Sequence, residues 1–181
     1  SRMYYFLACD SQLRNEPDKQ RQYLLKAVPL GEQVDSLDVD LDALIALYRL
    51  KDNTPEQRKN LSALIARLAE EYENEIDAEA SLIETAKTMN QYAWLVANTE
   101  GDVDKALRYS LRSIELAPDV AAYHDTLAHV YFAKGDYENA VKCQTRAAEL
   151  EPHSGAINRQ LKFFRAKLEE KRALDQPKPQ G

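Results

Sequence analysis

Glycine is scarce in this chain, five residues in 181, and Ala, Leu, Glu, Lys and Arg fill the places that turns and strands would claim. That balance favours helix over strand. Cysteine is scarcer still. Cys9 and Cys143 form no CxxC pair and read as small core-compatible residues, not as a disulfide or redox site. No apolar run reaches the roughly 18 residues of a membrane-spanning helix. A glycine-rich phosphate loop, a GxSxG elbow and an HExxH pair are all missing, so nothing in the residues calls for a cofactor. Net positive charge is missing too. The formal charge is −6, which argues against a nucleic-acid backbone as the main partner. There is no signal peptide, and the start SRMYYFLACD enters a helical pattern without an initiating Met. It reads as a fragment of a longer protein with a cloning scar at Ser1, which leaves the compartment open, with a soluble cytoplasmic protein as the default.

What is present is a repetition. GDVDKALRYSLRSIELAP, residues 101–118, returns 34 residues later as GDYENAVKCQTRAAELEP, residues 135–152. Between 87–120 and 121–154 eight positions are identical, among them Gly101/Gly135, Asp102/Asp136, Ala106/Ala140 and Pro118/Pro152. Gly tolerates the left-handed backbone that closes one helix, and Asp caps the next. Ala early in the second helix allows close approach, and Pro ends the unit. Each unit therefore reads as helix, tight turn, helix, stop. A single helical hairpin cannot bury its apolar face, whereas stacked neighbours can.

Upstream the pattern loosens. Residues 4–28 place two helical segments around Asn15-Glu16-Pro17. Residues 40–76 do the same around Asn53-Thr54-Pro55, with Thr54 as cap and Pro55 in the first turn. The predicted hairpins cover about 2–28, 38–78, 80–118 and 121–152, in a single domain over 1–174, with the break before the third hairpin at Ile76–Ala80. A further amphipathic stretch, about 155–173, carries Ile157, Leu161, Phe164 and Leu168 on one stripe and reads as a capping helix. Residues 175–181 read as a disordered, solvated tail.

The 34-residue period with Leu127, Ala128, Tyr131, Gly135, Ala140, Ala147 and Pro152 resembles the tetratricopeptide repeat family. About half the chain is similar to bacterial tetratricopeptide proteins of unassigned role. Trp94, His124 and Gln144 depart from the pattern and imply altered packing. The resemblance implies an all-α, right-handed superhelix of hairpins in which the first helix of each hairpin lines a concave groove. It assigns to that groove Gln91, Leu95 and Asn98 in the third unit and Asp125, His129 and Phe132 in the fourth. Arg159 and Phe163 extend it on the capping helix, and Tyr5, Cys9 and Gln12 add the first unit. Some members clamp a peptide's terminal carboxylate with Lys, Asn and Arg. Here the corresponding positions hold Gln91, Asp125 and Arg159, and Asp125 would repel a carboxylate.

His124, Asp125 and His129 suggest a metal or catalytic cluster only superficially. His124 and His129 are five residues apart and diverge by about 140° around a helix. Tyr92, Trp94, Tyr109, Tyr123, Tyr131 and Tyr137 have core spacing. Six carboxylates between Glu70 and Glu79 read as a solvated face. The basic end, with Arg159, Lys162, Arg165, Lys167, Lys171 and Arg172, is offset by Glu169 and Glu170. The sequence thus points to a non-enzymatic scaffold, with no cofactor and no metal, that binds a protein or peptide. Nucleic acid and membrane are not expected partners. The alternatives are a docking region of a larger, enzymatic or exported protein, and a homodimerisation module.

Overall fold

A computed structural model describes residues 2–28, 30, 39–78 and 81–175. Ser1, the starts of the second and third predicted hairpins at 38 and 80, Glu79 of the acidic run and the tail beyond 175 lie outside the described residues. Among the described residues there are nine helices and no strand. Their contacts divide the chain into two compact units, Ser1–Glu71 and Tyr72–Gly181.

The first unit holds α1 (Arg2–Leu13), α2 (Pro17–Ala27), α3 (Leu41–Tyr48) and most of α4 (Pro55–Ala78). The turn from α1 to α2 places Asn15 at φ 56°, while Glu16 N donates to Ser11 O at 2.9 Å. This is the left-handed helix closure that Asn tolerates best after Gly. Pro17 then begins α2, where its missing N–H costs nothing. The Asp40 side chain accepts from Ala43 N and caps α3, and Arg2 of α1 binds both Asp40 and Asp42, at 3.0 and 2.8 Å. Thr54 caps α4 reciprocally. Its Oγ1 accepts from Gln57 N at 3.2 Å, and Gln57 Oε1 accepts from Thr54 N at 3.0 Å. Leu24, Leu44, Leu47, Leu61 and Leu68 are buried in this unit, each contributing about 2 kcal/mol of transfer free energy.

The second unit holds the end of α4 with α5 (Leu82–Asn98), α6 (Val103–Leu116), α7 (Ala121–Ala133), α8 (Tyr137–Leu150) and α9 (Gly155–Asp175). Helices α5 and α6 pack as one pair and α7 and α8 as another; α7 packs on both α5 and α6, and α9 packs on α8. The two Gly-Asp signals take the same role. Gly101 (φ 138°) and Gly135 (φ 75°) occupy backbone that side chains rarely adopt. Asp102 then accepts from Lys105 N at 2.8 Å, and Asp136 from Asn139 N at 3.1 Å. Ala106 and Ala140 are fully buried where the helices meet. Lys105 Nζ reaches Glu73 Oε1 at 2.8 Å and ties the end of α4 to α6. Tyr92 and Tyr109 meet edge to face at 5.0 Å beside this pair, and burial followed by the Glu73 charge pushes the Tyr92 phenol up.

Candidate functional site

Trp94, which departs from the repeat pattern, begins a row of aromatic contacts. Trp94, on α5, meets His129 of α7 edge to face, ring centres 4.7 Å apart. His129 in turn meets Phe164 of α9 edge to face at 5.3 Å. Phe164 is fully buried and stacks on Phe132 of α7 at 4.7 Å. From Phe132 the row continues to Phe163 at 5.5 Å and to Tyr137 at 5.0 Å. Helix α5 of the third hairpin, α7 and α8 of the fourth, and α9 thus supply a continuous aromatic row. Helical spacing is what delivers it: His129 and Phe132 are three apart on α7, so they share a face.

Asn98 fixes the ring of His129. Its Nδ2 donates to Trp94 O at 2.9 Å, which leaves Oδ1 facing His129 Nδ1 at 2.9 Å. An amide oxygen only accepts, so His129 carries a proton on Nδ1. Asp125 is held differently. The fully buried Gln144 donates from Nε2 to Asp125 Oδ1 at 2.5 Å and to Ile157 O at 3.3 Å. Burial raises the Asp125 carboxyl above its ordinary value, and the Gln144 bond partly opposes the rise. Gln144 Oε1 is buried with no hydrogen-bond partner among the described residues. His124 Nε2 pairs with Pro118 O at 2.8 Å, away from His129's partners. Cys9 and Cys143 are free, and burial pushes the Cys143 thiol up to about 11, which makes it a poor nucleophile.

Of the residues assigned to the groove, Phe132 and Phe163 touch, His129 and Asn98 hydrogen-bond, and Asp125 binds Gln144. Leu95 is fully buried and Asn98 nearly so, which leaves Leu95 no surface to offer a partner. Gln91 is half-buried. Arg159 is exposed, and so is Phe163, at 44%, with Lys167 Nζ 5.9 Å from its ring centre. Sequence reasoning missed Trp94 and Tyr137 as groove neighbours. Trp94 already broke the repeat pattern, and an oversized residue in a small slot displaces volume toward the neighbouring helix. Among the described residues no group of three or more His, Cys, Asp or Glu side chains is placed to hold a metal ion. No helix among them is long and apolar enough to cross a membrane.

Helical hairpins closed by Gly-Asp and stacked at a fixed period define an all-α repeat protein. Residues 121–154 match the family model of the tetratricopeptide repeat. No curated protein matches the sequence. Three solved structures show how far the likeness reaches. MamA (residues 41 to the end) from Desulfovibrio magneticus RS-1 is 13% identical over 95% of this chain and 87% of its own, with a TM-score of 0.51. A second MamA structure is 15% identical over 99% of this chain and 97% of its own, at TM-score 0.43. The assembly chaperone of RpL4, Acl4 (residues 1–338), is 13% identical over 95% of this chain and 76% of its own, at 0.39. At 13% identity and a TM-score of 0.51, the likeness to the first of these is one of fold alone.

Proposed function

We propose that this chain is a non-catalytic scaffold that binds a peptide or protein segment across α5, α7 and α9. The observation that carries the reading is the aromatic row from Trp94 through His129, Phe164 and Phe132, which emerges at the exposed ring of Phe163. An exposed aromatic held by buried ones is preorganised, so a partner's apolar side chain meets a surface already formed. Arg159 stands one helical turn before Phe163 and supplies charge. Gln91, Asp125 and His129 are the polar residues of the proposed surface, whereas Leu95 is buried. The repeat matched at residues 121–154 fits an interaction scaffold in general, and the surface across α5, α7 and α9 is where the partner would lie.

The test is capture from the source cell's lysate with the wild-type chain and with the triple variant Phe132→Ala, Arg159→Ala, Phe163→Ala, both checked for helix content. Retention by the wild type and loss by the folded variant supports the groove. A partner retained equally by both removes it.

A second reading, self-association, rests on α1. Met3, Phe6, Leu7 and Leu13 are 65, 62, 38 and 88% exposed there, a concentration of apolar surface that soluble monomers avoid. Light scattering that gives only monomer at all concentrations would exclude it.

A further inference from the structure

A second surface lies on the flank of α9 turned away from Phe163 and borders the aromatic row only at Tyr137. Arg165 follows Phe163 by two residues, a rotation of about 200° around the helix. On that flank α8 and α9 enclose two adjoining clefts, about 380 and 610 Å³, that share Glu138, Leu168 and Arg172. Their floor is apolar: Val141 from α8, Leu168 from α9 and the ring of Tyr137 at one end.

The charges around this floor do not balance. Three carboxylates line the clefts, and each is already engaged. Glu138 and Glu169 bind Arg172, at 3.1 and 3.2 Å, and Asp136 caps α8. Lys134 pairs with Asp104. Lys142, Arg165 and Lys171 remain, and among the described residues none has a carboxylate within 4.0 Å. Lys171 instead donates to Gly135 O at 3.2 Å and stands 5.3 Å from the Tyr137 ring centre. A chain with a net charge of −6 thus gathers uncompensated cations along one apolar furrow.

The repeat shows what shape fits there. In the fourth hairpin α7 presents Ala128 and Tyr131 to the cluster it forms with α8. Thirty-four residues on, α9 carries Lys162 and Arg165 at those positions. A further helix laid against α9 would therefore meet cations where α8 meets small and aromatic side chains. Three carboxylates interleaved with the cations disfavour a continuous phosphate backbone, whereas spaced acidic side chains can avoid them.

We propose that the furrow between α8 and α9 docks an acidic amphipathic helix of another protein. Its apolar face covers Val141 and Leu168, and its carboxylates meet Lys142, Arg165 and Lys171.

The probe is a fluorescent peptide of about fifteen residues, long enough to form a helix on binding, built from Glu, Ala and Leu at helical spacing. Its counterpart carries Gln for Glu. Anisotropy is read against the full chain at low and high salt. The expected result is binding of the acidic peptide alone, weakened by salt. It is reduced about tenfold or more in the double variant Lys142→Glu, Arg165→Glu. Binding is kept in Phe163→Ala and in Arg112→Glu, which places the site away from the groove. Circular dichroism confirms that each variant is folded. Absence of binding, equal binding of the Gln peptide or unchanged affinity in the double variant overturns the proposal. So does displacement of the acidic peptide by single-stranded RNA at matched charge, which would make the furrow a polyanion site. Self-association of the wild type that Lys142→Glu, Arg165→Glu abolishes would give the furrow to a second copy and overturn it as well.

Discussion

Gln144 and Asp125 are 19 residues apart in sequence, and the Gln144 amide reaches the Asp125 carboxylate at 2.5 Å. Gln144 is fully enclosed, so the pair brings an ionisable group to the edge of the core. Burial raises the Asp125 carboxyl above its ordinary value of 3.8. A carboxyl raised in the fold contributes stability that is complete below the unfolded value and lost as pH rises through the folded one. Asp125→Asn keeps an oxygen for Gln144 and removes the ionisation. Thermal melts are expected to show this variant above wild type at pH 7, with the gap closing as pH falls toward 3.8. Gln144→Leu, which strips the carboxylate of its donor, is expected to cost about 1–3 kcal/mol at pH 7 and less in acid.

The two turn glycines separate by geometry. A Cβ on Gly101 would meet Val96 Cγ2 at 3.1 Å in addition to its φ of 138°, whereas one on Gly135 meets nothing within 4 Å. Gly101→Ala is expected to lose about 2–3 kcal/mol in urea unfolding and Gly135→Ala about 1–2 kcal/mol. Gly135→Asn should lose less than Gly135→Ala, because φ 75° lies near the region Asn tolerates. Equal losses for both alanines would show that backbone strain alone decides.

The reciprocal cap of α4 predicts coupling. Thr54→Ala and Gln57→Ala each remove one of the paired bonds, and each is expected to cost about 1 kcal/mol. The double variant should cost less than the sum, since the second change removes a bond whose partner geometry is already gone. Strict additivity in denaturant melts would mean that the two bonds act separately.

These features were not equally legible in the sequence. The all-α fold and the Gly-Asp closures could be read because they are local: a φ above zero and a cap each depend on a few adjacent residues. Asn15 was flagged as a turn by its neighbours, and its positive φ is that turn's mechanism. The site was less legible because it depends on which side chains meet across helices. The resemblance to the repeat family puts Leu95 in the groove, yet it is fully enclosed, while Trp94 beside it packs on His129. In the sequence Gln144 stands out only as a departure from the repeat, and Asp125 as a charge facing the groove. That each is the other's hydrogen-bond partner follows from the packing of α7 on α8, which no local pattern encodes. The cationic end was visible as a run of Lys and Arg, but only the ion pairs show which members are already neutralised.

The central claim is that a partner lies over the aromatic row at Phe163. The direct measurement places a photo-crosslinker there, as Phe163→p-benzoylphenylalanine, and the same group on α6 as Arg112→p-benzoylphenylalanine. Both chains are irradiated in the source cell's lysate. The account predicts a discrete crosslinked protein from position 163, lost when Phe132→Ala and Arg159→Ala are added, and none from position 112. Crosslinking from position 112 alone, or the same products from both positions, would contradict it.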